Sequence, residues 1–511
     1  MSTMQETRNQ YWAGIFSRRI EQRIVIEGML ELVTPAHFGT GDSDDLTDMP
    51  LLTDSLDPTR PLLTGSTLTG ALRAYLQRRE GGSGHLTEAL FGGDKGNEED
   101  DGEQSALIVE DASGDKGNEE DDGEQSALIV EDAIGHSPGY EVRDGVKLNA
   151  QSRTAADKGL YDMHLWRAGT TFCLRFELLL TAPSGQNKQA YHQQLKLAFY
   201  TALQGLNDDG ISLGSRKSRG YGQIKVSNWQ GQAYDLQDIN QLCQWLETGY
   251  QSPANVIDLA DFLGVNQNDA PDERRLADLT ATFFLDGSLL IRAGMGQADA
   301  GPDMVHLHSY RSGKKNPVPI LSGTSLAGAL RARATKIASV FGQKAQITAL
   351  INGLFGPEIT QNQREPRASR LLVREAEIHN GVTDLVQNRV SIDRFTGGAR
   401  DTALFNEQPV FSRKQATTLE IKLRIRNPTD AEVGLLLLLL KDLWTGDLPI
   451  GGESSVGRGR LRGHKATLHY AGEAWVIEDA GNNALHLPPN HRKLQDFVDA
   501  LQRQLKGESQ P

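Results

Sequence analysis

The chain has 511 residues, 38% of them hydrophobic and 23% charged, and a formal net charge of −14. That length leaves room for two or more domains, each with its own core. Two cysteines, Cys173 and Cys243, exclude a disulfide framework. The longest apolar run, Leu435 to Leu440, is far too short to cross a bilayer, so no membrane partner is expected. The cysteine usage and the lack of an apolar leader in residues 1–22 predict a reducing, cytoplasmic setting.

Along the chain, a first strand is expected in "RIVIEGMLELVT" (Arg23 to Thr34), followed by the polar loop "TPAHFGTGDSDDLTDMPLLTD" with Asp42, Asp44, Asp45, Asp48 and Asp54. Next, "LLTGSTLTGALRAYL" (Leu62 to Leu76) spaces Leu68, Ala71, Leu72 and Tyr75 as one helix face, with Ser66 and Thr67 as caps. "LFG" at Leu90 leads into an acidic duplication: residues 93–113 and 114–134 agree at 20 of 21 positions, and each copy carries eight acids and one lysine. The two copies therefore hold the whole net charge, and the rest is neutral. A neutral protein can still carry a basic groove, because local field rather than net charge guides a polyanion. "GDKGNEEDDGEQ" is expected to be a solvated loop and "SALIVEDA" a strand, with one copy surplus and looped out.

An irregular arm follows, "LNAQSRTAADKGLYD" (Leu148 to Asp162), with Arg153, Lys158 and Arg167 beside Met163 and Trp166. A strand, the helix "YHQQLKLAFYTALQGL" and the glycine loop "LGSRKSRGYGQI" (Leu213 to Ile224) close this part. "GISLG" (Gly210 to Gly214) fits a nucleophile elbow in letters only. That motif needs strand before and helix after, whereas here the order is reversed and Ser212 matches Pro449 in the later copy.

The same order then returns. "DLTATFFLDGSLLIR" (Asp278 to Arg292) is a strand, and "AGMGQADAGPDMVHLHS" is a polar loop with Asp299, Asp303, His306 and His308. "ILSGTSLAGALRARA" (Ile320 to Ala334) is the helix, "LFG" recurs at Leu354, and "ASRLLVREAEI" (Ala368 to Ile378) matches one acidic copy. The arm "SIDRFTGGARDTALFN" (Ser391 to Asn406) carries Arg394, Phe395, Arg400 and Phe405, with Arg389 just before it. "AEVGLLLLLLKDLW" is the second helix, and "IGGESSVGRGRL" (Ile450 to Leu461) the second glycine loop. One unit therefore appears twice, as residues 1–255 and 276–511 with a linker at 256–275 and an appended C-terminal helix. The expected class is α+β, with each half a ferredoxin-like layer of two helices on an antiparallel sheet.

Two features point to a nucleic acid. Arg216, Lys217 and Arg219 in one glycine loop, and Arg458, Arg460 and Arg462 in the other, pair backbone access with guanidinium charge. That combination suits phosphate. The basic arms with apolar tips suit clamping a nucleic-acid strand. A glycine-rich hairpin with solvated cations and an ordinary packed hairpin are the plainer readings. Asp48-Met49 and Asp303-Met304 occupy matched places, where an aspartate beside a phosphodiester would hold a hydrated divalent metal or activate a ribose hydroxyl.

The Gly-Ser/Thr turn into "GALR" (Gly65 to Arg73; Gly323 to Arg331), "LFG" before an apolar strand, and "SIDRFTGGA" (Ser391 to Ala399) together resemble the RAMP superfamily of CRISPR–Cas proteins. The match is to backbone subunits of type III effector complexes, above all the fused double-backbone subunit of type III-D. The resemblance implies partners and chemistry: guide RNA (crRNA) bound along a filament with other CRISPR effector subunits, target RNA kinked by each thumb, and cleavage supported by Mg²⁺ or Mn²⁺. It implies Asp48 and Asp303 as catalytic and metal-holding residues. It also implies RNA contacts from Arg73, Arg331, Arg153, Arg394, Arg216, Lys217, Arg219, Arg458 and Arg460. "DMPLLTD" keeps a closing acid, Asp54, whereas "DMVHLHS" lacks one, and "LNAQSRTAADKG" lacks the "SIDR" pattern. A non-catalytic scaffold, and a metal-free guide-processing endoribonuclease using His37, stand as alternatives.

Overall fold

The computed structural model describes residues 19–39, 50–82, 84–93, 125–148, 155–181, 187–208, 210–293, 301–357, 367–481 and 484–507. In the first half, β1 (Ile20–Leu32) is central and runs antiparallel to β6 (Thr171–Thr181) on one side and β7 (Ile224–Asp235) on the other. Strands β2 (Leu128–Val130) and β3 (Ala133–His136) pair with the far side of β6. Alternate side chains point inward, as a pleated strand requires. Ile24, Ile26, Leu30 and Leu32 of β1 meet Phe172, Leu174, Phe176 and Leu178 of β6, all buried. Helices α1 (Gly65–Arg79) and α3 (Lys188–Gln204) cover that face with Leu68, Leu72, Leu76, Leu195, Phe199 and Leu203; α2 (His85–Phe91) lies beside them. At about 1.5–3 kcal/mol per fully buried large apolar side chain, this layer is the main stabilising term.

The second half repeats the plan. Strand β8 (Leu276–Asp286) is flanked by β13 (Thr418–Arg426) and β14 (Arg460–Tyr470), and β10 (Leu371–Val373) pairs with β13. Helices α4 (Gly323–Phe341), α5 (Lys344–Phe355) and α6 (Asp430–Trp444) cover it. Strand β15 (Glu473–Gly481) extends the sheet, and α7 (Arg492–Lys506) packs on α6 through Phe497, Leu501 and Leu505. Helix α6 starts with a full capping box, Thr429 with Glu432. The architecture is α+β in both halves, and no helix among the described residues is long and apolar enough to cross a membrane.

Several expectations shift. The strand expected over Asp278 to Arg292 ends at Asp286, because Gly287 takes a left-handed φ of 78° and turns the chain. The segment expected as a linker is folded: Asp258 caps a short helix, Leu259–Leu263, whose Ala260 and Leu263 join the first core with Val265. Arg79 donates to the Pro271 carbonyl at 2.5 Å and clamps the following stretch to α1. The second acidic copy supplies β2, the counterpart of β10; the first copy lies outside the described residues apart from Gly93.

Each half carries a hairpin off its sheet, β4 (Tyr140–Leu148) with β5 (Ala155–Trp166) and β11 (Gln387–Ile392) with β12 (Ala399–Gln408). These are the expected arms. They are two-stranded rather than irregular over the described residues.

Candidate nucleic-acid interface

The two glycine loops superimpose in backbone shape. Gly214, Arg216, Gly220 and Gly222 have positive φ, as do Gly451, Glu453, Gly457 and Gly459. A methyl on Gly222 or Gly459 would strike the carbonyl of Leu213 or Ile450, so these glycines serve close backbone approach within the hairpin. This alignment places Glu453 opposite Arg216, Ser454 opposite Lys217 and Val456 opposite Arg219. The matched basic sets expected from the sequence therefore do not coincide in space.

The first loop faces the second half. Its turn, Lys217–Arg219, packs on β10 and the start of α4. The Arg219 guanidinium lies 3.4 Å from the carbonyls of Phe355 and Leu371 and 3.5 Å from Ser369 Oγ. Burial, with Arg331 and Arg216 nearby, brings Arg219 down to about 10. Arg216 donates to Tyr161 Oη at 2.6 Å and stacks on that ring. Lys217 is exposed at the surface, but lost hydration and the charges of Arg426 and Arg78 hold its ammonium below the usual lysine range.

In the second loop Arg458 is 3% exposed and pairs with Glu407 at 2.9 Å and Glu453 at 3.2 Å; it also donates to Gln387 at 2.7 Å. Its charge is committed to the root of the β11–β12 hairpin. Burial raises the Glu407 carboxyl, aided by the adjacent Glu453 and opposed by Arg458 and Arg389. Arg460 is exposed on β14 and shares the open sheet face with Arg462 and His464. His464 lies against Phe284 of β8, ring centroids 5.0 Å apart. Sequence reasoning missed Phe284 and His464. The signal was the alternation in "TFFLD", which sends Phe283 inward and Phe284 outward.

Arg73 and Arg331 do the same structural job in both halves, donating to the carbonyls of Gly92 (3.4 Å) and Gly356 (2.7 Å) at the ends of α2 and α5. Arg394 is exposed at the tip of the β11–β12 hairpin beside Phe395, which is 99% exposed. Arg153 lies outside the described residues, as does Asp48. Asp54, which closes the first acidic stretch, is buried and accepts from Leu56 N at 3.1 Å, capping its own turn.

Asp303 stands at the root of the second hairpin. It precedes β9 (Met304–His306), which pairs in parallel with β12. Asp303 N donates to Asn406 Oδ1 at 2.7 Å, and Asn406 N donates to Asp303 Oδ2 at 2.8 Å. Asp303 is exposed. The histidines are held elsewhere. His306 is buried between Ile291 N (3.2 Å) and the Ile320 carbonyl (2.9 Å), and desolvation, then His308, pushes it down to about 4. His37 is buried with Nδ1 on the His164 carbonyl at 2.8 Å, and burial lowers its pKa.

Among the described residues no group of three or more His, Cys, Asp or Glu converges as a metal cage. A single carboxylate such as Asp303 still suits a largely hydrated Mg²⁺, which takes one or two carboxylates and completes its shell with water and phosphate.

No curated protein matches the chain. The RAMP superfamily model matches residues 29–225 and 302–462, one stretch in each half and together well over half of the sequence. The matched stretches take in both hairpins, strands β6 and β13, and helices α1 and α3 to α6, whereas the central strand of the second half, β8, lies outside them. The chain therefore belongs to the RAMP superfamily.

Proposed function

We propose that this chain is a double-backbone subunit of a type III CRISPR effector complex that binds guide RNA and cuts matched target RNA. RAMP membership implies a CRISPR-associated, RNA-binding subunit, and the duplication fits two backbone units in one chain. A ferredoxin-like reading of each half rests on the antiparallel orders β2–β6–β1–β7 and β10–β13–β8–β14.

The observation that carries the catalytic part is the clasp between Asp303 and Asn406, which fixes an exposed carboxylate at the root of the hairpin whose tip bears Arg394 and Phe395. RNA bent over that tip would present a phosphodiester near the acid. Asp303, and Asp48 in the first half, would take the proton from the ribose 2′-hydroxyl as its oxygen bonds to the adjacent phosphorus. The 5′-oxygen then leaves with a proton, giving a 2′,3′-cyclic phosphate and a 5′-hydroxyl. A bound Mg²⁺ or Mn²⁺, held by the same carboxylates, would neutralise charge at the phosphate. Arg394, Arg460, Lys217 and Arg216 are the cations best placed for guide or target phosphates.

The test is a matched target RNA offered to the assembled complex carrying Asp48→Ala, Asp303→Ala or both. Loss of one cut per substitution supports the reading, and persistence of every cut in the double variant ends it. The second reading is a non-catalytic scaffold with the same fold and RNA contacts. A scaffold would leave target RNA whole with or without Mg²⁺.

A further inference from the structure

The clasp between Asp303 and Asn406 holds the acid only as firmly as β12 is itself held. The ladder beside it is short: β9 pairs with β12 through Met304 with Glu407 and Val305 with Gln408. Two such pairs are marginal without side-chain support. The support comes from Glu407. It follows Asn406 directly, and successive side chains leave a strand on opposite faces, so Glu407 turns inward where it is 0% exposed.

On that inner face four side chains alternate in charge. Arg458 reaches Glu407 at 2.9 Å and Glu453 at 3.2 Å. Arg389 reaches the same two carboxylates at 3.4 Å and 2.8 Å. Arg458 also donates to Gln387 of β11 at 2.7 Å. The ring ties both strands of the hairpin to the glycine loop, level with Met304, the residue after Asp303.

The fold does not require such a ring, because the first half builds the matching joint from aromatic and apolar groups. There Met163 and Leu165 stand opposite Arg143 and Glu141, as Phe405 and Glu407 stand opposite Arg389 and Gln387. Tyr221 holds the place of Arg458 in the glycine loop and forms one buried cluster with Met163 and Leu165. Burying Glu407 and Arg458 costs desolvation that apolar packing avoids, so the ring is a poor device for stability alone. What it supplies is direction. A guanidinium fork between carboxylates favours one geometry, whereas apolar faces can slide.

Resting on the reading of Asp303 as the acid of one target cut, we propose that Glu407 and Arg458 are positioning residues for that acid. They do not touch the reacting atoms. They fix β12 so that Asn406 holds the Asp303 carboxylate at the phosphodiester, where a misplacement of about 1 Å costs on the order of a hundredfold in rate. Arg458 thereby serves the acid rather than a phosphate.

The test uses the assembled complex with matched target RNA. The cut lost in Asp303→Ala is followed as a single-turnover rate at saturating target, beside the cut lost in Asp48→Ala. Glu407→Gln should slow the Asp303-dependent cut about 10–100-fold, while the Asp48-dependent cut, the bound guide RNA and the target affinity stay as in the parent. Glu407→Leu combined with Arg458→Tyr copies Leu165 and Tyr221 and should recover most of the lost rate. An unchanged Asp303-dependent cut in Glu407→Gln would overturn the proposal. Equal slowing of both cuts, or loss of bound RNA, would do the same, because a merely structural role acts on the whole subunit. So would a double variant that melts with the parent yet cuts as slowly as Glu407→Gln. If Asp303→Ala removes no cut, the functional reading itself falls and this inference with it, a result seen before any Glu407 variant is measured.

Discussion

Arg143, on the hairpin of the first half, donates to Glu375 of the second at 2.5 Å, with side chains 4% and 0% exposed. Arg311 reaches the other Glu375 oxygen at 2.8 Å, and Ser309 bridges Arg143 to Glu141. Although burial works against the Arg143 charge, Glu375, Tyr221 and Glu141 hold its pKa well above the ordinary arginine value. The halves are thus keyed by a desolvated ion network rather than by apolar contact alone.

Removing the centre of that network should be costly. Glu375→Gln removes the carboxylate shared by two buried guanidinium groups, leaving Arg143 with Glu141 alone at 2.8 Å, and the expected loss is about 3 kcal/mol. Urea unfolding followed by circular dichroism checks it. A change below 1 kcal/mol would mean that the halves do not depend on the pair.

Gly323→Ala offers a test of opposite sign to propensity. Alanine should favour a helix start by up to about 1 kcal/mol over glycine, but the added methyl meets the Arg219 carbonyl. The variant is expected to melt lower than the parent, and a higher melting temperature in a calorimeter would refute the close docking of the turn.

His306 gives a pH dependence. Its folded pKa lies near 4 against an ordinary 6.5, so the unfolded chain binds the proton more readily. The contribution is full above about pH 6.5, falls as pH drops toward 4, and amounts to about 3 kcal/mol overall. His306→Gln should flatten the stability profile between those values, as read from urea midpoints at pH 7, 5.5 and 4.

Contacts with RNA should be separable by type. Phe395→Ala at the hairpin tip is expected to weaken single-stranded or hybrid RNA binding by about 1–3 kcal/mol with little change in salt dependence. Arg460→Gln should instead lower the slope of log affinity against log salt by about 0.7. Filter binding across a salt series distinguishes them, and equal slopes for parent and Arg460→Gln would remove Arg460 from the interface.

The repeat, the core strands and the main helices were legible because period and order are properties of the chain itself: Leu68, Leu72 and Tyr75 announce a buried face before any contact is known. The role of the glycine loops was not. Arg219 and Arg458 look alike as letters, yet one inserts into the neighbouring half and the other is neutralised by Glu407, a residue 51 positions away in sequence. Charge in a sequence does not say what faces it. Asp303 was legible as a candidate because it sits beside a methionine in a polar loop, but its tie to Asn406 joins segments 103 residues apart and had no local signal. The folded state of 256–275 escaped for the same reason: a polar composition hid three apolar anchors, Ala260, Leu263 and Val265.

The Asp303–Asn406 clasp also makes the second hairpin a ruler. One end of the measure is the acid and the other is the tip at Phe395, joined by paired strand. Each residue of β-strand spans about 3.3 Å, so lengthening both arms by two residues would carry the tip roughly 7 Å outward while leaving the carboxylate at its root. On the proposed function, the spacing between where a bound strand would be bent and where it would meet the acid is set by hairpin length, and evolution could retune one without rebuilding the other.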